Sequence, residues 1–84
     1  MRVEFLGLAR ERVGVPELEL HAETLGQLLN TLADRFPSFR ELVAGAQLRP
    51  SVAANLNGDL FVTDPRTPLA EDDCVLIVSA DAGG

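Results

Sequence analysis

The opening residues alternate. In Arg2-Val3-Glu4-Phe5, Val3 and Phe5 share one face and Glu4 takes the other, the period of a strand with one buried side. The β-prone stretch covers 2–8, RVEFLGL, and Leu6 joins Glu4, so that face is not purely polar. RERVGVPE carries Gly14 and Pro16 and reads as a turn. ELELH (17–21) alternates again, with Leu18 and Leu20 inward, and the two strands are expected to form a hairpin. The period then changes to that of a helix. Leu25, Leu28, Leu29, Leu32 and Phe36 form one stripe, Thr24 and Gln27 fit a capping box at its start, and Pro37 stops it. SFRELVAGA (38–46) predicts a short helical turn, with Phe39 and Leu42 packing down and Gly45 ending it.

In SVAANLNGDLFV the pattern predicts a strand near 52–56, a turn at Asn57-Gly58 and a short strand near 60–62. Asn-Gly is the strongest short hairpin signal, because both central residues of a type I′ turn need positive φ. A polar connector with two prolines, TDPRTPLAEDD, leads to CVLIVS (74–79), which is apolar on both faces and so predicts a central strand. That last strand has no hairpin to its neighbours. Placed beside the first strand and parallel to it, it lets one main helix cover one face of a mixed sheet of four or five strands. The expectation is an α+β chain of the β-grasp, ubiquitin-like architecture, with a domain over 1–79 and a projecting tail over 80–84.

Composition narrows the chemistry. The chain has 84 residues, enough for one modest core. A single cysteine, Cys74, excludes an internal disulfide framework. No stretch approaches the roughly 20 apolar residues of a membrane span, and the first residues do not form a signal peptide, so the expected location is the cytoplasm. The net charge of −6 argues against nucleic acid or an anionic membrane as partner. All seven basic residues are arginines. His21 ends a strand and is expected to face solvent, while Cys74 opens a buried one, so neither a Cys-His nor a Ser-His-Asp site is assembled. One histidine and one cysteine also fall short of a zinc site, and the Glu71-Asp72-Asp73 run reads as a solvated loop.

What remains is the end, SADAGG. With the last strand finishing near Ser79, residues 80–84 reach up to roughly 17 Å beyond the sheet. They would present the Gly84 carboxylate to another protein's active site. Glycine suits the last two positions because it has no side chain to block a narrow channel. A carboxylate is inert until activated; adenylation with ATP makes it an acyl donor, open to attack by sulfur or by an amine.

Four segments in order resemble the MoaD/ThiS family of ubiquitin-like sulfur carriers, of the MoaD or CysO type: VEFLGLARERVG, TLGQLLNTLADRFP, SVAANLNGD and TPLAEDDCVLIVSADAGG. The resemblance implies that the chain is a carrier and not itself an enzyme, and that it binds no cofactor of its own. It also implies three partners: an adenylating enzyme of the ubiquitin-activating type, which uses ATP; a sulfur donor protein; and a sulfur-accepting synthase subunit. Gly84 would carry the adenylate and then the thiocarboxylate, with Gly83, Ala82 and Asp81 entering the partner's channel. Asp72 stands where the family has glycine, a position where aspartate tolerates the left-handed conformation. SADA differs from the residues typical of molybdopterin synthase subunits, so the acceptor pathway stays open between molybdopterin, cysteine and related metabolites. Two other readings stay open as well: a ubiquitin-like modifier conjugated through Gly84, and a plain β-grasp binding module.

One helix cannot cover both faces of CVLIV. Counted back from Gly-Gly as in ubiquitin-like strands, Val75 and Ile77 face the helix. Cys74, Leu76 and Val78 lie on the open face, beside Leu6 and near Phe61. Leu6, Phe61, Leu76 and Val78 are therefore expected to form a partner surface, unless the connector 63–73 folds over it.

Overall fold

The computed structural model describes residues 1–80. In chain order the elements are β1 (Arg2–Phe5), α1 (Leu8–Val13), β2 (Glu17–Glu19), α2 (Leu25–Arg35), a 3-10 helix (Pro37–Leu42), β3 (Val43–Ala44), β4 (Gln47–Leu48), β5 (Val52–Leu56), β6 (Leu60–Val62) and β7 (Cys74–Ser79). The main sheet has five strands in the order β2-β1-β7-β5-β6. The last strand lies at its centre, parallel to β1 and antiparallel to β5, and β1 pairs antiparallel with β2. This is the β-grasp topology.

Helix α2 forms because its apolar stripe has a sheet to bury against. Leu25, Leu28, Leu29 and Leu32 are at most 1% exposed, and Phe36 packs half-buried at the rim. Its start is capped by the Thr24 hydroxyl, which accepts from the Gln27 N–H at 3.2 Å. The Gln27 side chain reaches back to the N–H of Glu23, one residue before the position a standard capping box uses. The sheet's inner face supplies Val3, Phe5, Val75 and Ile77, all at most 1% exposed, and Phe39 meets Phe5 edge-to-face at 6.4 Å. The parity read for CVLIV is the observed one.

The connector between β1 and β2 is not a tight hairpin turn. Residues 8–13 form α1, with Ala9 and Val13 buried one turn apart. Gly14, at φ 86°, caps its C-terminus by donating to the Arg10 carbonyl at 2.8 Å. Arg12 pairs with Glu41 and donates to the Ser38 carbonyl at 3.1 Å, tying α1 to the 3-10 helix. The 3-10 helix buries Phe39 and Leu42 as expected, but Gly45 (φ 66°) serves the turn of a small β3–β4 hairpin that the pattern did not predict. The hairpin turn at 57–58 is as expected: Asn57 and Gly58 have φ of 57° and 75°. Asn57 is the sole non-glycine residue with positive φ among the described residues, so Asp72 does not adopt the left-handed conformation considered for it. The turn at 70–73 closes instead through Asp73, whose N–H donates to the Ala70 carbonyl at 3.1 Å and whose carboxylate accepts the Ala70 N–H at 2.7 Å.

Candidate functional site

The point where the chain leaves the sheet is built by three elements. Strand β7 runs between β1 and β5, and both neighbours depart at the same level. On one side the parallel ladder continues to Leu6, whose N–H donates to the Ile77 carbonyl at 3.0 Å. The next residue, Gly7, turns the chain into α1 at φ 62°. On the other side Val52 pairs with Ser79, and the Ala80 N–H donates to the Ser51 carbonyl at 2.9 Å. Extending that antiparallel register would oppose residue 81 to Pro50 and residue 82 to Arg49. Both backbone groups of Arg49 are already engaged, its N–H with the Leu42 carbonyl and its carbonyl with the Val52 N–H. Ala80 is the last described residue that this edge holds by a backbone hydrogen bond. Asp81, Ala82, Gly83 and Gly84 lie outside the described residues.

The outer face of the sheet is apolar at its centre. Register places Glu4, Leu76, Asn55 and Phe61 in one row across β1, β7, β5 and β6. Leu76 and Val78 are half-buried, and Leu6 is 46% exposed. Leu6 and Leu76 line one shallow depression with Glu4, Arg10 and Glu17, so the fold brings these two predicted residues together. Phe61 is 63% exposed but stands two strands from Leu76, on the edge strand. It also borders a cleft of about 230 Å³ lined by Leu29, Leu48, Val52 and Val62.

The connector 63–73 is anchored at the helix end of the sheet. Leu25 and Gly26 at the start of α2 donate to the carbonyls of Thr67 and Pro65, and Leu69 donates to the Glu23 carbonyl. A Cβ built on Gly26 would stand 3.0–3.1 Å from atoms of Pro65 and Ala46, which accounts for the glycine in TLGQLL. Among the described residues no cluster of His, Cys, Asp and Glu could hold a metal, and no helix is long and apolar enough to cross a membrane.

The ThiS family's sequence model matches residues 3–84. The chain belongs to the ThiS family. Solved structures share its fold. A small archaeal modifier protein 1 from Methanosarcina acetivorans is 25% identical with a TM-score of 0.79, over 99% of this chain and 94% of that one. A chain of the Amycolatopsis orientalis BexX/CysO complex is 20% identical with a TM-score of 0.79, over 99% and 98%. A chain of the complex of subunits 1 and 2 of the molybdopterin-converting factor from Helicobacter pylori is 20% identical with a TM-score of 0.67, over 99% and 96%. Comparison with curated proteins gives no match.

In this ThiS-family chain two residues of the site escaped the sequence pattern. Asn55 sits mid-row on the outer face, between Leu76 and Phe61, and its side-chain oxygen is buried with no hydrogen-bond partner among the described residues. Ser79 belongs by parity to the inner face, yet its hydroxyl accepts the Leu8 N–H at 2.9 Å. A lone polar residue at the end of an apolar run signals a strand terminus, not a specific contact. Neither role could be read before the register was known.

Proposed function

We propose that this ThiS-family protein is a sulfur carrier acting through Gly84. An adenylating enzyme of the ubiquitin-activating type joins the Gly84 carboxylate to the α-phosphate of ATP, releasing pyrophosphate. Hydrosulfide supplied by a sulfur donor protein then attacks the carbonyl carbon, the bond to AMP breaks, AMP leaves, and the terminus becomes a thiocarboxylate. That sulfur passes to a synthase subunit in cofactor or metabolite biosynthesis. The chain acts as co-substrate, and its partners perform the chemistry. Asp81, Ala82 and Gly83 thread the partner's channel, while Leu6, Leu76, Val78 and Phe61 dock on the partner's surface.

The observation that carries this reading is the strand end: the central strand brings the chain to Ala80, where both flanking strands turn away. The family match extends through Gly83-Gly84. The test is intact mass after incubation with the cognate adenylating enzyme, ATP and a sulfur source. A gain of about 16 Da, oxygen exchanged for sulfur at an activated acyl group, is expected. The similarity to a small archaeal modifier protein supports a second reading, conjugation through Gly84. An AMP adduct that passes to lysines of other proteins, with no sulfur gain, would decide for it.

A further inference from the structure

Ser79 does more than end a strand. In the regular parallel ladder, the Leu6 N–H to Ile77 carbonyl bond would be followed two residues on by Leu8 N–H to the Ser79 carbonyl. Gly7, turning at φ 62°, breaks that ladder, and the Ser79 hydroxyl takes the rung instead at 2.9 Å. The contact also caps α1, because Gly7 at the N-cap has no side chain with which to satisfy the Leu8 amide. It is tight as well: a Cβ on Gly7 would stand 2.4 Å from the Ser79 hydroxyl oxygen, so only glycine admits the serine there. From the opposite side the next residue is held by the Ala80 N–H to Ser51 carbonyl bond.

We infer that Ser79 is a positioning residue for the tail. Its hydroxyl, seated on Gly7 and Leu8, fixes the end of β7 to which residues 81–84 are joined. The inference rests on the proposed function in its kinetic part only. With that end fixed, residues 79 and 80 need no ordering when a partner takes the terminus. Without the hydroxyl the sheet end frays, and residues 79 and 80 must also be ordered at each encounter. That cost falls on binding. It leaves the bound tail, and so the chemical step, unchanged.

The test uses Ser79→Ala, Ser79→Val and Ser79→Thr in the full chain. Valine and threonine match in shape and both favour strands, so only the hydroxyl differs between them. Two measurements are made: amide hydrogen exchange at Leu8 and Ala80 in the isolated protein, and ATP–pyrophosphate exchange with the cognate adenylating enzyme. The alanine and valine variants should exchange faster at both amides. Their KM should rise about thirtyfold or more with kcat within about twofold, the scale of ordering two further residues. The threonine variant should behave as wild type. Unchanged KM in both hydroxyl-free variants, a fall confined to kcat, or a folded threonine variant as impaired as valine would each overturn the inference. If the wild type is not adenylated at all, the proposed function fails. The exchange measurement then decides alone, and Ala80 protection unaltered in Ser79→Val overturns the positioning role.

Discussion

Two neighbouring substitutions in β7 separate the stability of the sheet from its recognition. Ile77 is 0% exposed, in the inner row with Phe5, Ala54 and Val62. Truncating it to alanine leaves a cavity in a well-packed row and should cost about 2–5 kcal/mol. A domain of this size has roughly 4–13 kcal/mol in total, and with a urea slope near ~1 kcal/mol/M the midpoint should fall by about 2 M or more. Leu76 points the other way, half-buried between Glu4 and Asn55. Glutamine is the informative replacement there, since an aspartate would oppose Glu4 directly. Glutamine keeps most of the volume and leaves the net charge at −6. Its effect on the isolated fold should stay below about 1 kcal/mol. On docking, the variant forgoes the remaining apolar burial, about 1 kcal/mol, and must desolvate an amide at about 1–3 kcal/mol. Together these weaken binding to the adenylating enzyme by roughly thirty- to a thousandfold. Urea unfolding followed by circular dichroism measures the first pair of numbers and titration calorimetry the second. Equal losses of stability in the two variants would refute the assignment of faces. A Leu76→Gln protein that binds as tightly as wild type would remove the outer face from the partner surface.

Other expectations follow from the same structure. Leu28→Ala or Leu32→Ala, each at a fully buried position beneath α2, should cost about 2–5 kcal/mol, read from thermal or urea melts. Thr24→Ala removes the hydroxyl that caps α2 and should cost about 1 kcal/mol by the same measurement. The Asn57 side-chain amide and the Ala70 N–H hold the Asp73 carboxyl below the usual carboxylate range. Because the folded-state value is the depressed one, this stabilisation is complete above the ordinary carboxylate pKa and is lost as pH falls through the lower folded value. Unfolding midpoints measured between about pH 5 and pH 2 should therefore fall less steeply in Asp73→Asn than in wild type. Deleting Gly84 should abolish adenylation, measured by pyrophosphate exchange, while the melting temperature stays where it was.

The legible parts of the sequence were those where one periodic signal spans many residues. Helix α2 has four leucines on one stripe, and β7 is apolar at both parities, which forces it to the centre of a sheet with one helix. Helix α1 was illegible because six residues give only two buried positions, Ala9 and Val13, and the glycine and proline behind it dominate the local signal. The β3–β4 hairpin pairs two residues a side, below any period that can be counted. The base of the tail failed for a different reason. Its parts are single residues from three separate segments: Gly7, the Arg49-Pro50-Ser51 turn, and Ser79. Each is ordinary where it stands, a glycine after a strand, a proline in a turn, a serine at a strand end. Gly7 lies in a segment that carries the family resemblance, but its physical necessity appears only when Ser79 is placed 2.4 Å from where its side chain would begin. The spent backbone of Arg49 likewise acquires meaning only once Val52 is paired with Ser79. The end of a central strand is defined by where its neighbours turn away, and only the pairing of strands distant in sequence reveals that.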